Sequence, residues 1–205
     1  MSFKLYLVRH GSTPWNEENR HQGRLPGIGL SPTGIDQANA TAGTLGIADF
    51  AALVSSPLQR ALDTATILRD RAGIDAPIVT DDAFTEWDIP SWNRLTSAEI
   101  AERYPEAHHL LAIAPHELAL PGAETLQDVQ ARALVGVRRL QRATPDASVL
   151  VVTHAAVVVA ILCGLLELPL SAYRRFPVAN ASLAMIEIAQ QPMLRLFNWR
   201  PSKLV

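Results

Sequence analysis

Three short stretches of this 205-residue chain gather residue types that handle anions. Arg9-His10-Gly11 stands at the end of one apolar run, residues 55–60 follow a second, and Thr153-His154 follows a third. Arginine is a planar, permanently charged donor that forks onto paired oxygens. Arg9 and Arg60 therefore suit a group such as a phosphate monoester better than lysines would. Such an ester is close to doubly charged, with the charge spread over the oxygens of the transferring group. A protonated His154 would add a third donor, and Asn16 a neutral one. An uncharged His10 would attack phosphorus through one ring nitrogen and carry the phosphoryl group as phosphohistidine. Its other nitrogen must then hold a proton, donated to a backbone carbonyl. Each stretch alone also has a plainer reading. His and Arg follow strands by chance, Arg60 would cap a helix, and His154 would pack in the core.

Chemistry at three distant places needs a scaffold that joins them. Residues 4–8 read as a short buried strand. Ser31-Pro32 has the form of an N-cap followed by proline at the first helical position. That helix is expected to reach Leu45 and stop at Gly46. Residues 51–55 read as a second strand. Pro57 opens a second helix with Leu58, Ala61, Leu62, Ala65 and Leu68 along it. Residues 78–79 form a brief third strand. Between 81 and 121 the pattern breaks, because prolines at 90, 105, 115 and 121 punctuate short helical pieces; this reads as a lid-like insertion. A long helix follows over 124–142, with Leu126, Val129, Ala133, Val137 and Leu140 on one face. Residues 149–152 make a fourth strand, 155–166 a helix, and 181–188 and 194–197 pair as later strands. Strands alternating with helices imply an α/β fold with a mostly parallel sheet covered on both faces. In such sheets the ligand crevice lies beyond the carboxyl ends of the strands, where the three polar stretches sit. The length fits one domain over 1–205.

Composition narrows the partners. Apolar residues make up 48% and charged residues 19%, as in a globular chain. The net charge of −2 lacks the basic face that nucleic acid demands. The single cysteine, Cys163, excludes an internal disulfide framework, is consistent with a reducing compartment, and reads as core. No signal peptide is visible, since Lys4 and Arg9 flank only a short apolar run, and a cytoplasmic location is expected. Residues 149–166 carry no formal charge over nearly the length of a membrane span. Thr153 and His154 interrupt that window, so a strand running into a buried helix explains it better, and no membrane partner is expected. His108, His109 and His116 lack the spacing of a zinc motif, and no metal or other cofactor is expected.

Read in full, residues 5–16 are LYLVRHGSTPWN. This resembles the signature of the histidine phosphatase superfamily, which includes the phosphoglycerate mutases and many small-molecule phosphatases. The resemblance continues in order through Gln22-Gly23, Leu30-Ser31-Pro32-Thr33-Gly34, Ser55-Ser56-Pro57-Leu58-Gln59-Arg60-Ala61, Thr64-Ala65, Pro121-Gly122-Ala123-Glu124-Thr125 and Val151-Val152-Thr153-His154. It implies a phosphoglycerate mutase-like three-layer α/β/α sandwich with at least one antiparallel strand. It also implies metal-independent hydrolysis of a phosphate monoester through a phosphohistidine on His10. Arg9, Arg60 and His154 would stabilise the transferring group, and Asn16, Gln22 and Gly23 would contact phosphate or substrate. Relatives often dimerise, so a homodimer is the assembly it suggests.

In the family a carboxylic acid on the loop after the third strand protonates the leaving alkoxide and then activates water. The matching candidate is Glu86, in Phe84-Thr85-Glu86-Trp87-Asp88, with Asp88 as the competing carboxylate. Nearby cations would lower the pKa of Glu86 and desolvation would raise it; the sequence leaves the sign open. The match departs at Ile89-Pro90-Ser91-Trp92-Asn93-Arg94. Proline stands where glycine is usual and Asn93 replaces an acid. Proline fixes φ and removes an N–H, which puts the setting of the Glu86 loop in question. Trp87 and Trp92 serve either as pocket wall or as packing; Arg20, His21 and Arg24 either touch substrate or belong to a solvated loop.

The residues between 87 and 123 weigh on the reaction type. They include two basic side chains, Arg94 and Arg103, and five acidic ones, Asp88, Glu99, Glu102, Glu106 and Glu117, a formal charge of −3. An acidic lid repels bisphosphates, which favours hydrolysis over a mutase reaction, the runner-up. A non-catalytic binding module on the same fold would be expected to lack His10, Arg60 or His154, and all are present. The insertion is long enough to close over a small molecule: a sugar phosphate, a phosphoamino acid, a phosphoglycerate or a nucleoside phosphate.

Overall fold

The computed structural model describes residues 2–46 and 48–201. In chain order the strands are β1 (Phe3–Arg9), β2 (Phe50–Ser55), β3 (Ile78–Thr80), β4 (Ser148–Thr153), β5 (Leu183–Ile188) and β6 (Pro192–Trp199). The helices are α1 (Pro14–Glu17), α2 (Pro32–Leu45), α3 (Gln59–Ala72), α4 (Ser97–Arg103), α5 (Pro105–Ile113), α6 (Leu126–Ala143) and α7 (Ala155–Leu165). The six strands form one sheet in the order β3-β2-β4-β1-β5-β6. β3, β2, β4 and β1 run parallel, and β5 and β6 are antiparallel to their neighbours. The expected mostly parallel sheet with antiparallel strands is therefore present.

Alternation along the strands builds two cores. Leu5 and Leu7 with Val149 and Val151 face a layer that includes residues of α6, α7 and the 81–121 segment. Val8 with Leu150 and Val152 faces the side of α2 and α3. Strands buried on both faces read as continuous apolar runs, which is why residues 149–152 look membrane-like in sequence. The uncharged window of 149–166 resolves into β4 and α7. No helix among the described residues is long and apolar enough to cross a membrane. Helix α7 is rich in valine, an indifferent helix former. Burial nearly all round compensates, with eight of its residues in the core, Cys163 among them.

Several boundaries differ from expectation for reasons that matter to the site. Helix α3 begins at Gln59 and not at Pro57, because Ser56-Pro57-Leu58 forms a turn in which the Ser56 hydroxyl accepts the Leu58 N–H at 3.3 Å. Helix α6 begins at Leu126 and not at 124: Thr125 caps it in a reciprocal box with Asp128. Glu124 is thereby left outside the helix. The last antiparallel strand pair starts at Leu183, since Ala181 adopts a left-handed φ of 53° that turns the chain beneath His10. The 81–121 segment is a run of short helical turns, as expected. It also contributes Phe84, Trp87, Ile89, Trp92 and Ile100 to the core, so it packs as part of the same body.

Candidate active site

The parallel strands place their carboxyl ends along one edge of the sheet. His10 follows β1, Ser56 follows β2 and His154 follows β4. The His10 N–H extends the β1–β4 ladder to the Thr153 carbonyl at 2.8 Å, and the Ser56 N–H reaches the Val152 carbonyl at 2.9 Å. Gly11 packs against the start of α2 so closely that a Cβ there would lie 2.4 Å from the Gly34 carbonyl oxygen. The rings of His10 and His154 stand edge to face with centroids 5.1 Å apart. Around them lies a cavity of about 270 Å³ lined by Arg9, His10, Asn16, Gln22, Gly23, Arg60, Glu86 and Trp87, among others. Of the residues proposed from sequence, His10, Arg9, Arg60, Glu86, Asn16, Gln22 and Gly23 line this cavity; His154 is fully buried beside it, with Nδ1 3.9 Å from Glu86 Oε2.

A hydrogen bond to a carbonyl fixes the His10 tautomer. His10 Nδ1 lies 2.7 Å from the Gly11 carbonyl oxygen, a pure acceptor. Nδ1 must therefore carry the proton, and Nε2 keeps its lone pair. Burial, with Arg60 and Arg9 nearby, holds the ring well below its ordinary pKa and hence uncharged. His154 Nε2 lies 2.8 Å from the Ser56 hydroxyl, whose oxygen already accepts the Leu58 N–H. The hydroxyl can donate its proton to Nε2, an arrangement that puts the ring proton on Nδ1. That atom has no hydrogen-bond partner and lies 3.9 Å from Glu86 Oε2. The sequence reading made His154 a donor by protonation. The structure changes this: burial first, then the charges of Arg60 and Arg9, hold its pKa well below the ordinary histidine value, so the neutral ring has a single N–H to donate.

The arginines are held by backbone carbonyls and left short of partners. Arg60 projects from the first turn of α3, is 1% exposed, and gives one bond, from Nη2 to the Gly23 carbonyl at 2.8 Å. Its Nε and Nη1 are buried without partners. Burial lowers its pKa to about 10, so it stays charged at neutral pH. Arg9 donates from Nη1 to the Val178 carbonyl at 2.6 Å, and its Nε lacks a partner. Asn16 Oδ1 is taken up by the Thr13 N–H at 3.1 Å and by Asn180 Nδ2 at 3.3 Å, which leaves its amide nitrogen as the free donor. Gly23 adopts a φ of 48°, and a Cβ there would lie 2.3 Å from Asn93 Oδ1. Only glycine serves both the turn and the close approach. Asn93, where the family pattern has an acid, thus packs on the loop that positions Arg60.

Glu86 is the carboxylate that lines the cavity. Asp88 instead has its N–H held by Glu124 Oε2 at 3.2 Å and its carbonyl by the Glu124 N–H at 2.9 Å. Pro90 begins a short turn that buries Trp92 completely, and Glu86 keeps its place over the cavity. Glu86 Oε1 accepts the Trp87 N–H at 2.8 Å. Desolvation raises its pKa despite Arg60, the Trp87 N–H and Arg9 pulling the other way, so burial wins the contest that the sequence left open. Sequence reasoning missed what holds this loop. Arg132 of α6 donates to the carbonyls of Ala83 and Glu86 and pairs with Glu124 at 2.9 Å. Arg24 donates from Nε to the Glu86 carbonyl at 3.0 Å and pairs with Glu124 at 2.7 Å. The Glu124 match in the sequence was the available signal; Arg132 sits among the exposed-face charges of a helix and gave none. Ser56, Asn180, Tyr173 and Arg174 were missed too.

Of the remaining sequence candidates, Arg20 and His21 line the cavity and Arg24 supports it. Trp87 does both jobs: it walls the cavity and donates Nε1 to the Glu124 carbonyl at 2.8 Å. Trp92 is packing against His21. His108 contacts Ser97 and His116 contacts Glu117; they do not converge. His21, half-buried and near Arg60, has its pKa lowered to about 4, chiefly by desolvation.

The buried histidines set a pH signature. Below the ordinary histidine pKa of 6.5 the unfolded chain binds protons at His10, His21 and His154 that the folded chain refuses. Stability therefore falls as pH falls through that window. Glu86 acts oppositely, because its folded pKa lies above 4.5, but it is one proton against three. The melting temperature without ligand is expected to drop steadily from about pH 7 to about pH 5. A flat profile would mean that these rings protonate inside the fold.

The model of the histidine phosphatase superfamily (branch 1) matches residues 5–200. A bifunctional protein of Mycobacterium tuberculosis is 37% identical over 185 residues, which cover 90% of this chain and 50% of that protein. The chain thus spans about half the length of that protein and of two uncharacterised mycobacterial relatives that match equally well. Phosphoserine phosphatase 1 of Hydrogenobacter thermophilus is 30% identical over 188 residues, covering 92% of this chain and 88% of that one. Among solved structures, a mycobacterial glucosyl-3-phosphoglycerate phosphatase in complex with VO3 superposes with a TM-score of 0.87 at 32% identity, covering 95% of this chain and 98% of that one.

Proposed function

The chain belongs to the histidine phosphatase superfamily (branch 1), and from that premise we propose that it is a single-domain, metal-independent phosphatase that hydrolyses a small-molecule phosphate monoester through a phosphohistidine on His10. The observation that carries this reading is the His10 hydrogen bond of 2.7 Å to the Gly11 carbonyl, which leaves an uncharged nucleophilic nitrogen in a cavity with two arginines and one carboxyl group. In the first step Nε2 attacks phosphorus and the ester P–O bond breaks. Arg9, Arg60, the Nδ1–H of His154 and the amide of Asn16 hold the three equatorial oxygens, with Gln22 and Gly23 on the rim. Glu86 gives its proton to the departing alkoxide. In the second step Glu86 takes a proton from water, which attacks the phosphohistidine and releases inorganic phosphate.

A raised Glu86 pKa supports the acid role. Hydrolysis of alkyl esters is expected to fall as pH rises through that pKa, while neutral His10 keeps the acidic side of the profile open. Relatives named as phosphatases of phosphoserine and of glucosyl-3-phosphoglycerate support a small phosphate ester as substrate. The −3 charge of residues 87–123 speaks against bisphosphate-primed mutase chemistry.

Leaving-group dependence tests the assignment. Glu86→Gln keeps the size of the side chain but has no proton to give. It is expected to slow alkyl phosphates by on the order of 10³-fold and p-nitrophenyl phosphate, whose leaving group needs no proton, by about tenfold or less. Phosphate release would be followed for both substrates with EDTA present. Equal losses would remove Glu86 as the acid; a wild type inert toward every monoester would remove the hydrolase reading.

A further inference from the structure

The turn over 170–175, which no sequence motif marked, supplies part of the cavity wall. Tyr173 and Arg174 both line the cavity, beside Leu111 of α5. Arg174 donates from Nε to the Ala112 carbonyl at 3.1 Å. That bond ties the guanidinium to the end of α5 and leaves its two terminal nitrogens for another partner. The other arginines near the mouth are already neutralised. Arg20 pairs with Glu18 at 2.9 Å and lies 3.9 Å from Glu99. Arg24 pairs with Glu124. Arg174 has no acidic side chain within 4.0 Å among the described residues. Arg9 and Arg60, deeper in, belong to the phosphoryl site. Tyr173 sits within electrostatic range of Glu86, Arg174 and Arg9, and burial keeps its phenol protonated, a donor.

We propose that the leaving group accepted by this cavity carries a carboxylate, bound by the Arg174 guanidinium and the Tyr173 hydroxyl. The inference rests on the phosphatase reading for what the cavity does. One fixed guanidinium with one neutral donor matches a monoanion. A second phosphate would bring close to two charges to that one guanidinium, and the 87–123 segment that gives Trp87 and Leu111 to the lining carries a formal charge of −3. The class is thus a phosphate ester of a hydroxy acid.

The test separates this from the parent reading by measuring binding apart from turnover. Calorimetry on His10→Ala would compare 3-phosphoglycerate with glycerol 3-phosphate, its alcohol counterpart. The acid is expected to bind tighter by on the order of 30-fold. Arg174→Gln in the same background should bring the two within about threefold, and Tyr173→Phe should narrow the gap by about fivefold. Arg175→Gln, on the same turn but outside the cavity lining, should keep it. Equal affinities in His10→Ala, or a preference that survives Arg174→Gln, would overturn the proposal. Turnover of p-nitrophenyl phosphate by the wild type reports on the phosphatase reading, whichever way the affinities fall.

Discussion

His10→Ala is expected to abolish phosphate release, lowering kcat/KM by on the order of 10⁵-fold or more, because it removes the atom that bonds to phosphorus. The fold should survive. Apart from its ladder N–H, the residue's one side-chain bond is to the adjacent Gly11 carbonyl. Leaving that acceptor unpaired costs about 1 kcal/mol and a shift of a few degrees in melting temperature. A radiolabelled substrate, quenched in alkali, should leave an acid-labile label on the wild type and none on the variant. Turnover retained by a folded His10→Ala protein would end the phosphohistidine mechanism. Label retained without turnover would move the nucleophile elsewhere.

Arg60→Met should separate activity from stability. The guanidinium is 1% exposed, two of its three nitrogens have no partner, and one backbone carbonyl holds the third. Desolvating a charge costs several kcal/mol, and a hydrophobic isostere of similar volume is often neutral or stabilising. The partner left behind is Glu86, already disposed toward its neutral form by burial, so losing the cation does not strand a fixed negative charge. The free protein is therefore expected to melt at the same temperature or higher. Catalysis should fall by on the order of 10³-fold, because the transferring oxygens lose a preorganised, water-excluded donor. Vanadate, a phosphate mimic, should raise the melting temperature of the wild type and not of the variant. A variant that unfolds would show that Arg60 is there for the fold; a variant that keeps its activity would take it out of the phosphoryl site.

The two experiments differ in what they probe. In the proposed mechanism His10 forms a bond, so its loss is expected to be seen in chemistry alone. Arg60 acts by being held charged where water cannot reach, so its loss is seen as a trade between function and stability.

Much of this was legible in the residues. Apolar runs of four or five residues alternating with helical patterns dictate a parallel sheet, and a parallel sheet brings the ends of its strands to one edge. The one-dimensional fact that Arg9-His10, Ser55-Ser56 and Thr153-His154 each follow a strand is therefore already a statement about proximity. The uncharged nucleophile with its carbonyl-bound proton was also within reach, because it follows from what a ring nitrogen must be in order to attack.

Other features depend on sums that a linear string does not contain. Which of the two carboxylates lines the cavity, Glu86 and not Asp88, depends on how the loop is packed, with Glu124, 36 residues beyond Asp88, holding the Asp88 backbone. The neutral state of His154 and the raised pKa of Glu86 depend on how much protein surrounds each group, and desolvation is a property of the packed whole. Arg132, Tyr173 and Arg174 carry no motif signal of their own, and Ser56 has one without a role attached to it. Each gains its place through a hydrogen bond or a cavity wall that exists only once separate elements are packed. Residue types and spacing determined the family and which side chains meet at the strand ends; the tertiary structure alone decided which groups are charged, because charge in a protein interior is set by distance and by the exclusion of water.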